Sequence, residues 1–169
     1  MKKMIVFLFF CLLCVWHNNV YGQNAPDLPQ RTGTISATQS LHFGDLTIVS
    51  GSAGGTVKVD YNGLRTSTGS VVLLNLGNTA RQAIFEFKLC PGRTFIVNYQ
   101  PTVILTGSNG GSLLLHLGPT NMQSNIFTSN VGCNNINLIS MGGTLDVKSM
   151  TVNPHGLYTG NFELTFIQQ

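Results

Sequence analysis

Charge is scarce in this sequence, because only 9% of its 169 residues are Asp, Glu, Lys or Arg. The few lysines and arginines are spread along the chain and form no basic patch that could hold a phosphate backbone. This pattern excludes nucleic acid as a partner. Hydrophobic residues, in contrast, make up 43% of the chain, which is ample for the core of a single domain.

The chain also lacks the residue patterns that catalysis and metal binding require. It contains no G-x-S-x-G elbow and no H-E-x-x-H pair. His42, His116 and His155 stand at no metal-ligand spacing from one another or from a cysteine. The glycine-rich residues 51–55 (GSAGG) lack the Lys-Ser/Thr pair of a phosphate loop. We therefore expect no catalytic, cofactor-binding or metal-binding residue, and we expect that the protein is not an enzyme.

Carboxylates and aromatic rings give two weaker indications of a functional site, a catalytic pair of acids and a sugar-binding platform. Four of the six carboxylates, those of Asp60, Glu86, Asp146 and Glu163, fall at outward positions of predicted strands. Two of them could meet across a sheet as the acids of a glycosidase do, but charges on a solvated strand face are the ordinary case. The tyrosines and phenylalanines alternate with polar residues, which favours core packing over a platform for stacking sugars.

Only one long apolar run is present, at residues 4–16, and it is shorter than the about 20 residues that a membrane-spanning helix needs. Two lysines precede it and polar residues follow it. Val20 and Gly22 are small enough for the −3 and −1 positions of a signal peptidase site. The pattern predicts a signal peptide over residues 1–22 and no membrane span after its cleavage. The mature chain would then lie in the periplasm, on the cell surface or outside the cell.

Two alternatives for this N-terminal segment are an uncleaved signal anchor and a lipoprotein signal. Lipidation requires Gly, Ala or Ser before the modified cysteine, whereas Phe10 precedes Cys11 and Leu13 precedes Cys14. The polar residues directly after the apolar run favour cleavage over anchoring. Cleavage removes two of nine basic residues and leaves seven against six acidic ones, a net charge of about +1.

Cys90 and Cys133 are the two cysteines that remain after cleavage. An even pair of cysteines in an exported chain predicts a disulfide bond. Closing a loop of this length would contribute about 4 kcal/mol by restricting the unfolded chain. Two buried free thiols are the alternative.

Strand periodicity dominates the rest of the chain. Residues 23–32 are polar with two prolines and predict a flexible leader. From residue 33 onward, apolar residues recur at every second position, as in strands with one buried face. Gly and Asn turn signals separate these runs. The pattern predicts a single domain over residues 33–169 that is all-β, an immunoglobulin-like two-sheet antiparallel sandwich.

Three stretches depart from simple alternation. Residues 71–76 and 113–117 are more continuously apolar, which predicts central strands that are buried on both faces or partly covered. Residues 119–137 are polar and irregular, and they predict a long loop with at most a short strand.

Six segments, in order, resemble those of a family of exported bacterial β-domains known as domain of unknown function 4402. They are residues 41–46 (LHFGDL), 54–59 (GGTVKV), 65–69 (RTSTG), 83–85 (AIF), 142–147 (GGTLDV) and 156–162 (GLYTGNF). The resemblance spans nearly the whole chain that would remain after cleavage of the signal peptide. A bond between Cys90 and Cys133 would be a departure from the family pattern.

The closing motif of this family is similar to that of chaperone–usher pilins and spore-coat-U-like domains. In such pilins a glycine near Gly156, the fourteenth residue from the end, begins a last strand that the assembly chaperone recognises. The resemblance implies a C-terminal assembly strand of Gly156, Tyr158, Gly160, Phe162, Leu164 and Phe166. Gln168 stands where the pilins carry a penultimate tyrosine.

The resemblance thus implies an exported structural or adhesive surface subunit of the fimbria or pilus type, assembled by β-strand addition. Its partners would be like subunits or an assembly chaperone. The candidate donor strand carries Ile35, Ala37, Leu41 and Phe43, although the simpler interpretation is that this segment is the domain's own first strand. The alternative function is a monomeric secreted or surface module that binds glycan or matrix through loops at residues 107–111 or 119–137.

Overall fold

The computed structural model describes residues 35–168, within the compact unit Gly33–Gln169. The predicted signal peptide and leader lie outside the described residues. Residues 35–168 form thirteen strands and no helix, and so none of them belongs to a helix long and apolar enough to cross a bilayer. The strands are β1 (Ile35–Gln39), β2 (Leu46–Ile48), β3 (Gly54–Val59), β4 (Arg65–Gly69), β5 (Val71–Leu73), β6 (Ala83–Lys88), β7 (Thr94–Tyr99), β8 (Thr102–Gly107), β9 (Ser112–Thr120), β10 (Ile126–Thr128), β11 (Ile136–Lys148), β12 (Tyr158–Thr159) and β13 (Leu164–Gln168).

The largest sheet is built around β11, which is 13 residues long. Its strands follow the order β1-β6-β11-β9-β8-β12, and β3 pairs with both β11 and β4. The first half of β11 pairs with β6, ending at Met141, and the second half pairs with β3, beginning at Gly143. Gly142 lies between the two partners, where the backbone of Val59 and Asp60 leaves no room for a Cβ. A glycine is therefore needed where β11 changes partner.

Two smaller sheets, β10-β7-β13 and β2-β5, pack against the large one. All strand pairings are antiparallel. The predicted all-β antiparallel sandwich is therefore confirmed. Its second layer is divided between the two smaller sheets.

Each small sheet covers its own part of the core. The first core cluster lies between β2-β5 and the large sheet and contains Ile48, Val57, Val71, Leu105, Leu113, Leu115, Leu145 and Val147. The second core cluster lies beneath β10-β7-β13 and contains Phe87, Leu89, Phe95, Val97 and Ile139. Burying each such aliphatic or aromatic side chain contributes about 1.5–3 kcal/mol.

The two continuously apolar runs are partly covered rather than buried on both faces. Val71 is buried, but its neighbour Val72 is 45% exposed because successive side chains of a strand point to opposite faces. Leu114 likewise points outward between the buried Leu113 and Leu115. The irregular stretch contains one short strand of its own, β10, as predicted. However, β9 extends into the stretch as far as Thr120, and β11 begins within it at Ile136.

Candidate functional site

The predicted donor segment lies at an edge of the large sheet. β1 pairs with β6, its only neighbouring strand among residues 35–168. Ile35 lies opposite Phe87 and Ala37 lies opposite Phe85, so both side chains point to the inner face of the sandwich. Four of the five β1 residues are nevertheless exposed, and none of the five is charged. β1 therefore presents an uncharged backbone edge.

Leu41 and Phe43 are separated from this edge. Both are half-buried and pack against the first core cluster. The pairing of β1 with β6 shifts register between Ala37 and Gln39, and His42 then exchanges two backbone hydrogen bonds of 2.8 Å with Arg81. The four predicted donor residues thus divide into an exposed pair on β1 and a core pair beyond it.

The predicted C-terminal strand is interrupted and changes sheets. β12 pairs with the end of β8 in the large sheet, and β13 pairs with β7 in the three-stranded sheet. Gly160 lies between them against the carbonyl of Ile104, and the ring of Phe162 meets that of Phe85 edge-on at 6.2 Å. Because β8 follows β7 along the chain, the segment that carries β12 and β13 runs antiparallel to both.

The other members of this predicted strand are held by the core. Leu164 and Phe166 pack on the second core cluster. The Tyr158 hydroxyl donates a 2.7 Å hydrogen bond to the carbonyl of Pro154, and burial raises the pKa of this phenol above its usual value. Gly156 lies against Ser108 in the turn between β8 and β9. β13 has β7 as its only neighbour among residues 35–168 and is therefore a second edge.

The predicted bond between Cys90 and Cys133 is present. It joins the turn after β6 to the loop before β11, which are 43 residues apart in sequence. Ser129 lies close by, and its hydroxyl donates a 2.9 Å hydrogen bond to the carbonyl of Leu89. The backbone NH of Ser129 also donates a 3.0 Å hydrogen bond to the backbone carbonyl of Arg93. The bond and these contacts fix the loop that carries β10.

The histidines take part in local polar contacts. Nδ1 of His42 accepts a 2.9 Å hydrogen bond from the backbone NH of Gly44. Nε2 of His116 lies 3.0 Å from Oδ2 of Asp146, on the exposed face of the large sheet. Within residues 35–168 no group of three or more His, Cys, Asp or Glu side chains could hold a metal ion.

The other three carboxylates of predicted strands occupy different places. Oδ1 of Asp60 accepts hydrogen bonds from the backbone NH groups of Asn62 and Leu64, at 2.8 and 2.9 Å, so Asp60 closes the turn after β3. Glu86 lies on β6, and Glu163 precedes β13.

A clamp centred on Arg65 is a structural feature that sequence reasoning missed. Its guanidinium donates to the carbonyls of Phe43, Asp45 and Leu74, at 3.0, 3.1 and 3.0 Å. It thereby ties the stretch before β2 and the end of β5 to β4. The RTSTG motif was a signal for this position, but only the folded chain brings the three carbonyls together.

A search of the curated proteins and a search of the solved structures found no match. A family comparison did find one, and it covers the described strands almost completely. The sequence model of the Domain of unknown function (DUF4402) family matches residues 34–167, and the chain therefore belongs to this family.

Proposed function

We propose that this protein is an exported structural or adhesive surface subunit that assembles by β-strand addition. The observation that carries this proposal is β1, an uncharged edge strand that is mostly exposed and has β6 as its only partner among residues 35–168. Natural proteins usually protect such edges with charges or prolines, because unpaired NH and C=O groups bind other strands. An edge left without this protection favours pairing with another chain.

The chemistry of strand addition fits the residues of β1. Backbone hydrogen bonds to an added strand would supply affinity, and alternate side chains would supply specificity. Ile35 and Ala37 face the inner side of the sandwich but remain exposed, so an added strand could cover them. The disulfide fits a protein that works in an oxidising compartment outside the cytoplasm.

Deletion of residues 23–40 from the full chain tests the proposal. No side chain of β1 belongs to either core cluster, so the truncated domain should still fold. We expect exported wild-type protein to form polymers in electron micrographs, and we expect the truncated protein to remain a folded monomer by circular dichroism and sedimentation. A matched deletion of residues 23–32, which leaves β1 intact, should retain polymers. Polymers formed equally by both deletions, or no polymers from the wild type, would overturn the proposal.

A further inference from the structure

Among the edge strands of residues 35–168, β1 and β13 are the ones that combine a length of five residues with the absence of charge. β1 ends the large sheet and β13 ends the three-stranded sheet, and each is five residues long without a charged residue. The other edges among residues 35–168 are shorter or carry a charge: β2, β5 and β10 have three residues each, β12 has two, and β4 carries Arg65. β1 and β13 are therefore the two edges best suited to pair with another strand.

Both edges leave inward-facing apolar side chains incompletely covered. Ile35 faces the second core cluster beside Phe87 but is 42% exposed. On β13, Leu164 and Phe166 lie opposite Tyr99 and the buried Val97, yet both are only half-buried. Within the part of the chain that the structure describes, no strand lies beyond either edge. An added strand would bury this apolar surface and would also form hydrogen bonds with the unpaired backbone NH and C=O groups of the edge.

We infer that these two edges bind each other, β1 of one copy pairing with β13 of a second copy. The inference rests on the proposed strand addition and names both surfaces of the contact. Each copy carries one β1 and one β13, so the contact is heterologous and repeats from copy to copy into a linear polymer. Neither strand has to leave its own domain.

Side-chain size favours this pairing over pairing of like edges. The inner face of β1 offers the small Ala37 beside Ile35, whereas the inner face of β13 offers the bulky Leu164 and Phe166. Small residues opposite large ones fill a shared core without voids or clashes. Two copies of β13 would instead crowd four large side chains, and two copies of β1 would leave a gap at the alanines.

A mixing experiment with charged edges tests the inference. Ser36→Lys on β1 and Thr165→Lys on β13 each place a charge on one edge at an exposed position, and charges at an edge oppose strand pairing. In the full exported chain, each variant alone should be monomeric by sedimentation, because one of its two edges is blocked. An equimolar mixture should form a dimer of one copy of each, through the two edges that remain open.

Asn98→Lys is the matched control, because Asn98 is exposed and lies opposite Thr165 but on the central strand β7. It should polymerise like the wild type. Circular dichroism and an intact disulfide should show that all variants fold. Self-association of either edge variant by itself, or a mixture that stays monomeric, would overturn the inference. The proposed function would survive those results if the wild type still polymerised, whereas a wild type that never polymerised would overturn both.

Discussion

Ile35 lies directly opposite Phe87 in the ladder between β1 and β6, yet Phe87 is 2% exposed and Ile35 is 42% exposed. Residues that face each other across a ladder point to the same side of the sheet. The difference therefore comes from position, because β1 is the outermost strand among residues 35–168. The inner face of the sandwich reaches solvent at this edge, and the proposed assembly would cover it.

Loss of the disulfide should destabilise the domain without changing its fold. Replacement of Cys90 and Cys133 by serine removes a constraint across 43 residues of chain. We expect the free energy of unfolding to fall by about 2–5 kcal/mol in urea titrations. Reduction of the wild type should lower stability by a similar amount. Equal stability of oxidised and reduced wild type would contradict the structural role assigned to the bond.

Arg65 should be among the most sensitive positions in the chain. Arg65→Ala removes three hydrogen bonds from a charged donor to backbone carbonyls, and we expect a loss of about 3–5 kcal/mol in unfolding free energy. Arg65→Lys should rescue little of this loss, because an ammonium group cannot reproduce the planar arrangement of NH donors in a guanidinium group. Arg93→Ala, at an exposed position, is the control and should change stability by less than about 0.5 kcal/mol. Similar losses at both positions would count against the clamp.

Local patterning explains what the sequence could predict, and long-range register explains what it could not. The alternation of Phe85, Phe87 and Leu89 was enough to predict a strand with one buried face, and the paired cysteines were enough to predict the disulfide. The division of the donor segment at Leu41 depends on the bridge between His42 and Arg81, which are distant in sequence. No local pattern encodes such a contact.

The same limit applies to the C-terminal strand. Its residues alternate as in one continuous strand. However, β12 pairs with β8 and β13 pairs with β7, and these two partners belong to different sheets. Whether a strand lies at an edge is likewise a property of the sheet order. The two open edges could therefore be found only in the folded structure.

Gly142 should not tolerate a side chain. A Cβ there would meet the backbone of Val59 and Asp60, and backbone cannot move aside as a flexible side chain can. We expect Gly142→Ala to cost about 1–3 kcal/mol of unfolding free energy. Gly132→Ala is the matched control, because its nearest neighbour would be the Asn135 side chain at 3.7 Å, an ordinary contact. Thermal or urea unfolding that ranks the two variants equally would show that the partner change in β11 needs no glycine.

The half-buried phenol of Tyr158 should make stability depend on alkaline pH. Burial raises its pKa in the folded state, so folding favours the neutral phenol. This contribution is fully present below the usual pKa of about 10 and is lost as pH rises through the folded-state value. Tyr158→Phe keeps the ring but removes the titration and the hydrogen bond to Pro154. Wild-type stability should therefore fall more steeply than that of the variant above about pH 10, and parallel pH profiles would contradict the assignment.

Amide hydrogen exchange tests strand addition most directly, because it reports backbone hydrogen bonds one segment at a time. The comparison is between assembled wild-type protein and the monomeric variant Ser36→Lys. The internal reference is residues 143–146 of β11, which pair with β3 on one side and β9 on the other. We expect the amides of Ile35–Gln39 and Leu164–Gln168 to gain protection on assembly while those of β11 stay unchanged. Equal exchange of both edge strands in polymer and monomer would contradict the account.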